Sequence, residues 1–176
     1  MPCSGLRRGS RGLFSPEFVE SIFAEYLVSR PVMAYVESFL GSELRMGDVN
    51  LFTNPRNEDF STGWHRDFGS NERYGSEKVE LETLNRPKTA VKWHLALLDD
   101  PCVILVPGSN RRFRTAHEEG CMWFSDEYRA YLSQDRPPGE FSAPEHPDIP
   151  GQEVIELRGR QTIFWTGDTI HRGATK

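Results

Sequence analysis

Gly63-Trp64-His65-Arg66-Asp67 sets an imidazole and a carboxylate two residues apart in a segment that reads as a strand. Side chains on a strand point to opposite faces in turn, so His65 and Asp67 emerge together while Arg66 points away. Far downstream, Thr162-Ile163-Phe164-Trp165-Thr166-Gly167-Asp168-Thr169-Ile170-His171 carries a second imidazole just past an apolar strand and a turn. Two imidazoles and one carboxylate are the ligand set of facial metal sites, which leave three adjacent coordination positions open. Taken alone, a His-x-Asp tripeptide reads more readily as a surface pair, with His171 as a tail residue. The surrounding pattern decides between the two.

Around these ligands the sequence breaks into short strand-like pieces, at 44–53, 63–68, 89–98, 103–106, 154–157 and 162–165, separated by Gly, Pro and Asn signals. With 15 Gly and 12 Pro in 176 residues, turns outnumber long helices, and the pattern predicts a mainly β fold of sandwich or jelly-roll type. Two helices are expected near the N-terminus. Ser15-Pro16-Glu17 has the chemistry of a helix start, and Phe18, Ile22 and Tyr26 recur at helical spacing toward Val28. A second helix begins near Pro31, places Val32, Val36 and Phe39 or Leu40 on one face, and stops at Gly41.

The length fits one domain over 1–176. Its expected parts are a disordered basic arm over 1–14, a helical brace on the outside of a sheet over 15–42, and an incomplete jelly-roll core over 43–176. Two insertions interrupt that core. The first, 69–88, holds a short helix from Glu77 to Leu84; the second, 110–152, holds a helix at 126–132 and a proline-rich run. Arg111, Arg112 and Arg114 form a basic cluster that either attracts an anion or pairs with Glu118 and Glu119.

Bulk properties exclude several classes. A net charge of -5 argues against general affinity for nucleic acid, which leaves a small molecule as the expected partner. The cysteines, Cys3, Cys102 and Cys121, are odd in number and show no CxxC pair, so a reducing compartment is expected. No apolar run is long enough to span a membrane. The expected location is the cytoplasm, with a mitochondrial presequence as the other reading of Arg7, Arg8 and Arg11.

In this setting the sequence resembles the phytanoyl-CoA dioxygenase family of Fe(II)/2-oxoglutarate-dependent oxygenases. Asn50-Leu51-Phe52 followed by Gly63-Trp64-His65-Arg66-Asp67 is similar to that family's entry strand and ligand motif. Leu95-Ala96-Leu97-Leu98-Asp99-Asp100 resembles its central strand and turn. Val106-Pro107-Gly108-Ser109-Asn110-Arg111 is similar to its proline-glycine-serine-histidine-arginine turn, with Asn110 where histidine is usual. Residues from Gly159 through Phe164 to His171-Arg172-Gly173 resemble the strand pair that delivers the distal histidine. The matches follow family order across roughly 50 to 173. The resemblance implies a double-stranded β-helix (a cupin-like jelly roll) and Fe(II) held by His65, Asp67 and His171. It further implies 2-oxoglutarate and O2 as co-substrates, with 2-oxoglutarate converted to succinate as a small organic substrate is hydroxylated. Related halogenases lack the carboxylate ligand, so Asp67 favours hydroxylation.

The family's co-substrate anchor is an arginine on the strand after the distal histidine, where its planar fork clasps a carboxylate. Only Arg172, Gly173, Ala174, Thr175 and Lys176 follow His171, too few for a turn and a strand. The last strand and its arginine are therefore expected to be missing from a truncated sequence. Lys92 is the internal substitute, because Lys92, His94 and Ala96 share one strand face; that face lines the cavity or lies in solvent. Arg172 is the other candidate, although alternation points it away from His171. Two further readings remain: a truncated, inactive barrel that serves as a binding module, and a cupin-like metal enzyme that does not use 2-oxoglutarate.

Overall fold

The computed structural model describes residues 9–11, 20–47, 49–52, 62–67, 76–122 and 147–174. The chain falls into two compact units, Met1–Glu58 and Asp59–Lys176. The second unit gathers its own apolar cluster of Trp64, Leu84, Ile104, Val106, Cys121, Met122, Ile149, Ile170 and Ala174. A cluster of that kind is what lets a unit stand as a separate compact body.

In the first unit, strand β1 (Gly9–Arg11) pairs antiparallel with β2 (Asn50–Phe52), Gly9 opposite Phe52 and Arg11 opposite Asn50. The arm expected to be disordered over 1–14 thus contains a strand. Main-chain pairing to β2 supplies an order that its polar composition does not advertise. Helix α1 (Ser21–Leu27) starts after Glu20, whose backbone is extended, so it begins later than the Ser15-Pro16-Glu17 signal predicts. Residues 12–19 lie outside the described residues. Helix α2 (Arg30–Leu40) matches its prediction. Ser29 is the extended residue before it, Pro31 sits in its first turn, and Val32 and Val36, one turn apart, are buried. Gly41 ends it at φ 81°, a left-handed conformation that costs glycine little.

The second unit carries the rest. Helix α3 (Glu77–Leu84), at its predicted bounds, is capped by Ser76 Oγ, which accepts from Val79 N at 3.3 Å. Strands β3 (Lys92–Leu95) and β4 (Asp100–Leu105) follow, then a 3-10 turn at Ser109–Arg111 and helix α4 (Ala116–Cys121). A reciprocal cap starts α4: Glu118 N donates to Thr115 Oγ1 at 3.1 Å, and Thr115 N donates to Glu118 Oε2 at 2.7 Å. The chain ends in β5 (Glu153–Leu157), β6 (Thr162–Trp165) and β7 (His171–Gly173). Strand β4 lies between β5 and β7 in a three-stranded antiparallel sheet, and β3 pairs antiparallel with β6. The segment 62–67 joins as isolated bridges, Trp64 parallel to Met122 and His65 antiparallel to His171.

The described residues are therefore mixed helix and small antiparallel sheets rather than mainly β. The expected strands at 44–53, 63–68 and 89–98 are shorter than their apolar patterns suggest, and the first insertion contributes a well-formed helix. The helix expected at 126–132 lies outside the described residues. Among those described, no helix is long and apolar enough to cross a membrane.

Candidate metal centre

Alternation in the segment 62–67 sorts its side chains. Trp64 and Arg66 are buried, while His65 and Asp67 turn the other way and meet His171 from β7. The main chains of the two ligand segments are stitched directly. His65 N donates to His171 O and His171 N to His65 O, each at 3.0 Å. This reciprocal pair sets the imidazoles side by side, with ring centroids 4.4 Å apart. His171 Nε2 lies 3.2 Å from Asp67 Oδ2, and His65 Nε2 lies 3.7 Å from Asp67 Oδ1. One ligand atom from each of the three residues falls within 4.8 Å of the others. Ligands at right angles around a cation, with bonds of about 2.1 Å, sit roughly 3 Å apart, so only a small contraction separates this arrangement from coordination.

The nitrogens facing Asp67 are the right ones. His65 Nδ1 is 2.7 Å from Gly63 O, and His171 Nδ1 is 2.8 Å from Thr169 O. A carbonyl oxygen only accepts, so each Nδ1 carries a proton and each Nε2 is left to bind a cation. Burial, and then the neighbouring His171, push His65 down to about 4, which keeps it neutral and available as a ligand at neutral pH. Burial works against the charge of Asp67. The hydrogen bond and charge of His171, joined by those of Lys92, outweigh it and hold the carboxyl well below the usual range. An anionic oxygen and two ring nitrogens converging in one place call for positive charge at their centre. The donor set could hold a divalent metal ion.

Three supports hold this geometry. The turn at 107–112 touches both ligand segments: Ser109 Oγ accepts from Ile170 N at 2.8 Å, and Ser109 O accepts from Arg66 at 2.9 Å. Arg66 also donates to Arg112 O at 3.1 Å and pairs at 2.9 Å with Glu80 of α3, a carboxylate that Arg114 engages from its other side. Glu80 and the Arg66 side chain are fully buried. The third support is Gly167. Its carbonyl accepts from Asp67 N at 2.7 Å, and a Cβ added there would meet Asp67 Cβ at 3.0 Å. Nearby, Lys88 Nζ donates to Asp168 Oδ2 and to Leu84 O, tying the turn before β7 to the end of α3.

Of the two candidate anchors, Lys92 lies at the site and Arg172 does not. Lys92 Nζ donates to Asp67 Oδ2 at 2.8 Å, so its strand face turns toward the triad. The guanidinium of Arg172 packs 4.7 Å over the Trp64 ring and pairs with Asp148 at 3.2 Å, as strand alternation from His171 requires. The basic cluster resolves into pairs: Arg112 grips Glu118 through two bonds of 2.7 and 2.6 Å, and Arg114 reaches Glu119 at 3.2 Å. Trp165 is a site residue that the sequence reading passed over. It lies opposite Lys92 in the β3–β6 register, and its ring stands edge-on to His171 at 5.6 Å. Its indole nitrogen is buried with no acceptor among the described residues. Counting the register from the Lys92 strand would have found it. Comparison with protein-family models, with curated proteins and with solved structures gives no match to this chain.

Proposed function

We propose that this chain is a non-haem Fe(II)/2-oxoglutarate-dependent oxygenase of the phytanoyl-CoA dioxygenase type that hydroxylates a small organic substrate. The observation that carries the reading is the meeting of the His65–Asp67 pair with His171, far downstream in sequence, with both Nε2 atoms turned to one carboxylate. The small antiparallel sheets that carry His171 and Lys92 are compatible with a jelly roll, and the order of the motifs along the chain supports the same reading. When bound, Fe(II) with 2-oxoglutarate and O2 supplies oxidative decarboxylation coupled to hydroxylation of an unactivated carbon.

In this proposal the protein's own groups have separate tasks. His65, Asp67 and His171 hold the cation on one side and leave the opposite side for co-substrates. Lys92, already beside Asp67, is a cation available to a 2-oxoglutarate carboxylate. As a point charge it binds that group without the bidentate fork. Trp165 offers an apolar wall beside His171. Arg172 has no part in co-substrate binding, because its guanidinium serves Trp64 and Asp148.

Incubation with Fe(II), 2-oxoglutarate and O2 tests the reading by following succinate. Iron-dependent succinate that is lost in His65→Ala and His171→Ala is the expected result. Oxygen uptake without succinate would favour a cupin-like metal enzyme, and iron binding without either would favour an inactive binding module.

A further inference from the structure

A second group of ligand-type side chains lies in the same unit and shares no residue with the triad. His94 of β3, with Asp100 and Cys102 at the start of β4, brings a ring nitrogen, a carboxylate oxygen and a thiol sulfur within 4.8 Å of one another. His94 Nε2 is 2.7 Å from Asp100 Oδ2, and Asp100 Oδ1 accepts from Cys102 N at 2.8 Å. The connection between the two strands is held firmly. Arg160 N donates to Ala96 O at 2.7 Å, Ala96 N to Gln161 O at 3.0 Å, and Gly159 N to Asp99 Oδ1 at 2.8 Å. A register shift between Asp100 and Val103 interrupts the pairing of β4 with β5, and such irregularities re-aim side chains.

The geometry points to a binding site for a zinc-class divalent cation held by His94, Asp100 and Cys102. One nitrogen, one oxygen and one sulfur suit a borderline-soft ion and leave a fourth tetrahedral position for water. The His94 and Asp100 side chains are 22% and 23% exposed, so a hydrated ion can reach them. Asp100 pairs with no lysine or arginine among the described residues, and its charge is left for the imidazole and the ion. On binding, the sulfur gives its proton to solvent as the metal–sulfur bond forms, and the imidazole carries its proton on Nδ1. The His94–Asp100 hydrogen bond has to yield at the same time. At the triad each Nδ1 is already held by a carbonyl, so this second site is the weaker of the two. Lys92 and His94 share a strand face about 7 Å apart, which keeps the sites distinct.

Co(II) titration of the full chain reads this site separately, because thiolate ligation gives an intense near-ultraviolet charge-transfer band that the sulfur-free triad cannot produce. The expected result is a band that Zn(II) displaces, that is lost in Cys102→Ser, and that remains in Cys3→Ser and His171→Ala. Asp100→Asn, whose amide oxygen still accepts from Cys102 N, keeps the fold and weakens the band. Absence of the band in natively folded protein, or its survival in Cys102→Ser, would overturn the proposal.

Discussion

Within the short segment 62–67, alternate side chains meet opposite surroundings. His65 and Asp67 stay partly open to solvent and are set for a cation, with the His65 ring kept neutral and the Asp67 carboxyl strongly acidic. Trp64 and Arg66, one residue away on the other face, are buried, and Arg66 is locked into a chain of full charges through Glu80 to Arg114. The difference teaches where precision comes from. A ligand face that must exchange ions and small molecules cannot be densely packed, so its geometry is imposed from behind. Buried ion networks stabilise little against apolar replacements, but breaking one is costly, which suits a device that fixes a single arrangement.

The contrast can be broken first at Glu80. Glu80→Ala leaves Arg66 and Arg114 buried without their shared carboxylate and should cost about 3–5 kcal/mol in urea unfolding. Asp67→Ala, on the exposed face of the same segment, should change stability by no more than about 1 kcal/mol. Equal losses from the two variants would dissolve the distinction.

Lys92→Met sharpens the ligand face. It should weaken 2-oxoglutarate binding roughly ten- to hundredfold, the scale of a lost charge-assisted hydrogen bond, while Fe(II) binding persists. Calorimetric titration of each ligand separates the two effects. A smaller change is expected from Gly167→Ala, where the new methyl presses on Asp67 at 3.0 Å. A shift of a few tenths of an ångström in a ligand should lower turnover by about tenfold with the fold intact; unchanged succinate production would show that the contact relaxes elsewhere.

The smallest effect concerns pH and the support behind the turn. Burial raises the carboxyl of Glu118, but the bonds from Arg112 and the Thr115 amide prevail and hold it below its ordinary value of 4.5. A depressed carboxyl contributes stability above its unfolded pKa and loses that contribution as pH falls through the folded one. Between pH 7 and pH 3, therefore, the wild-type chain should lose about 1 kcal/mol more than Glu118→Gln, measured by urea midpoints. Equal losses would remove the pair from the account.

The sequence made the ligands legible because a strand's period of two is rigid: His65 and Asp67 had to share a face, and Arg172 had to oppose His171. Helices α2 and α3 were legible locally, α2 through a proline at its start and a glycine at its end. What could not be read was long-range. The pairing of β1 with β2 uses main-chain groups that every residue carries, and the partition into two units reflects which apolar residues cluster in space. Glu80 looked like an ordinary acid in the first turn of a helix, and nothing local announces that it is buried between two arginines. The helix within the insertion 69–88 was legible, but not that it carries the counter-charge behind the segment 62–67.

The central claim is that His171 and the His65–Asp67 pair bind one cation, and anaerobic addition of Fe(II) and 2-oxoglutarate reads this directly in the visible spectrum. The expected result is a metal-to-ligand charge-transfer band that disappears in His171→Ala as fully as in His65→Ala. A His171→Ala protein that keeps the wild-type band and iron affinity would contradict it.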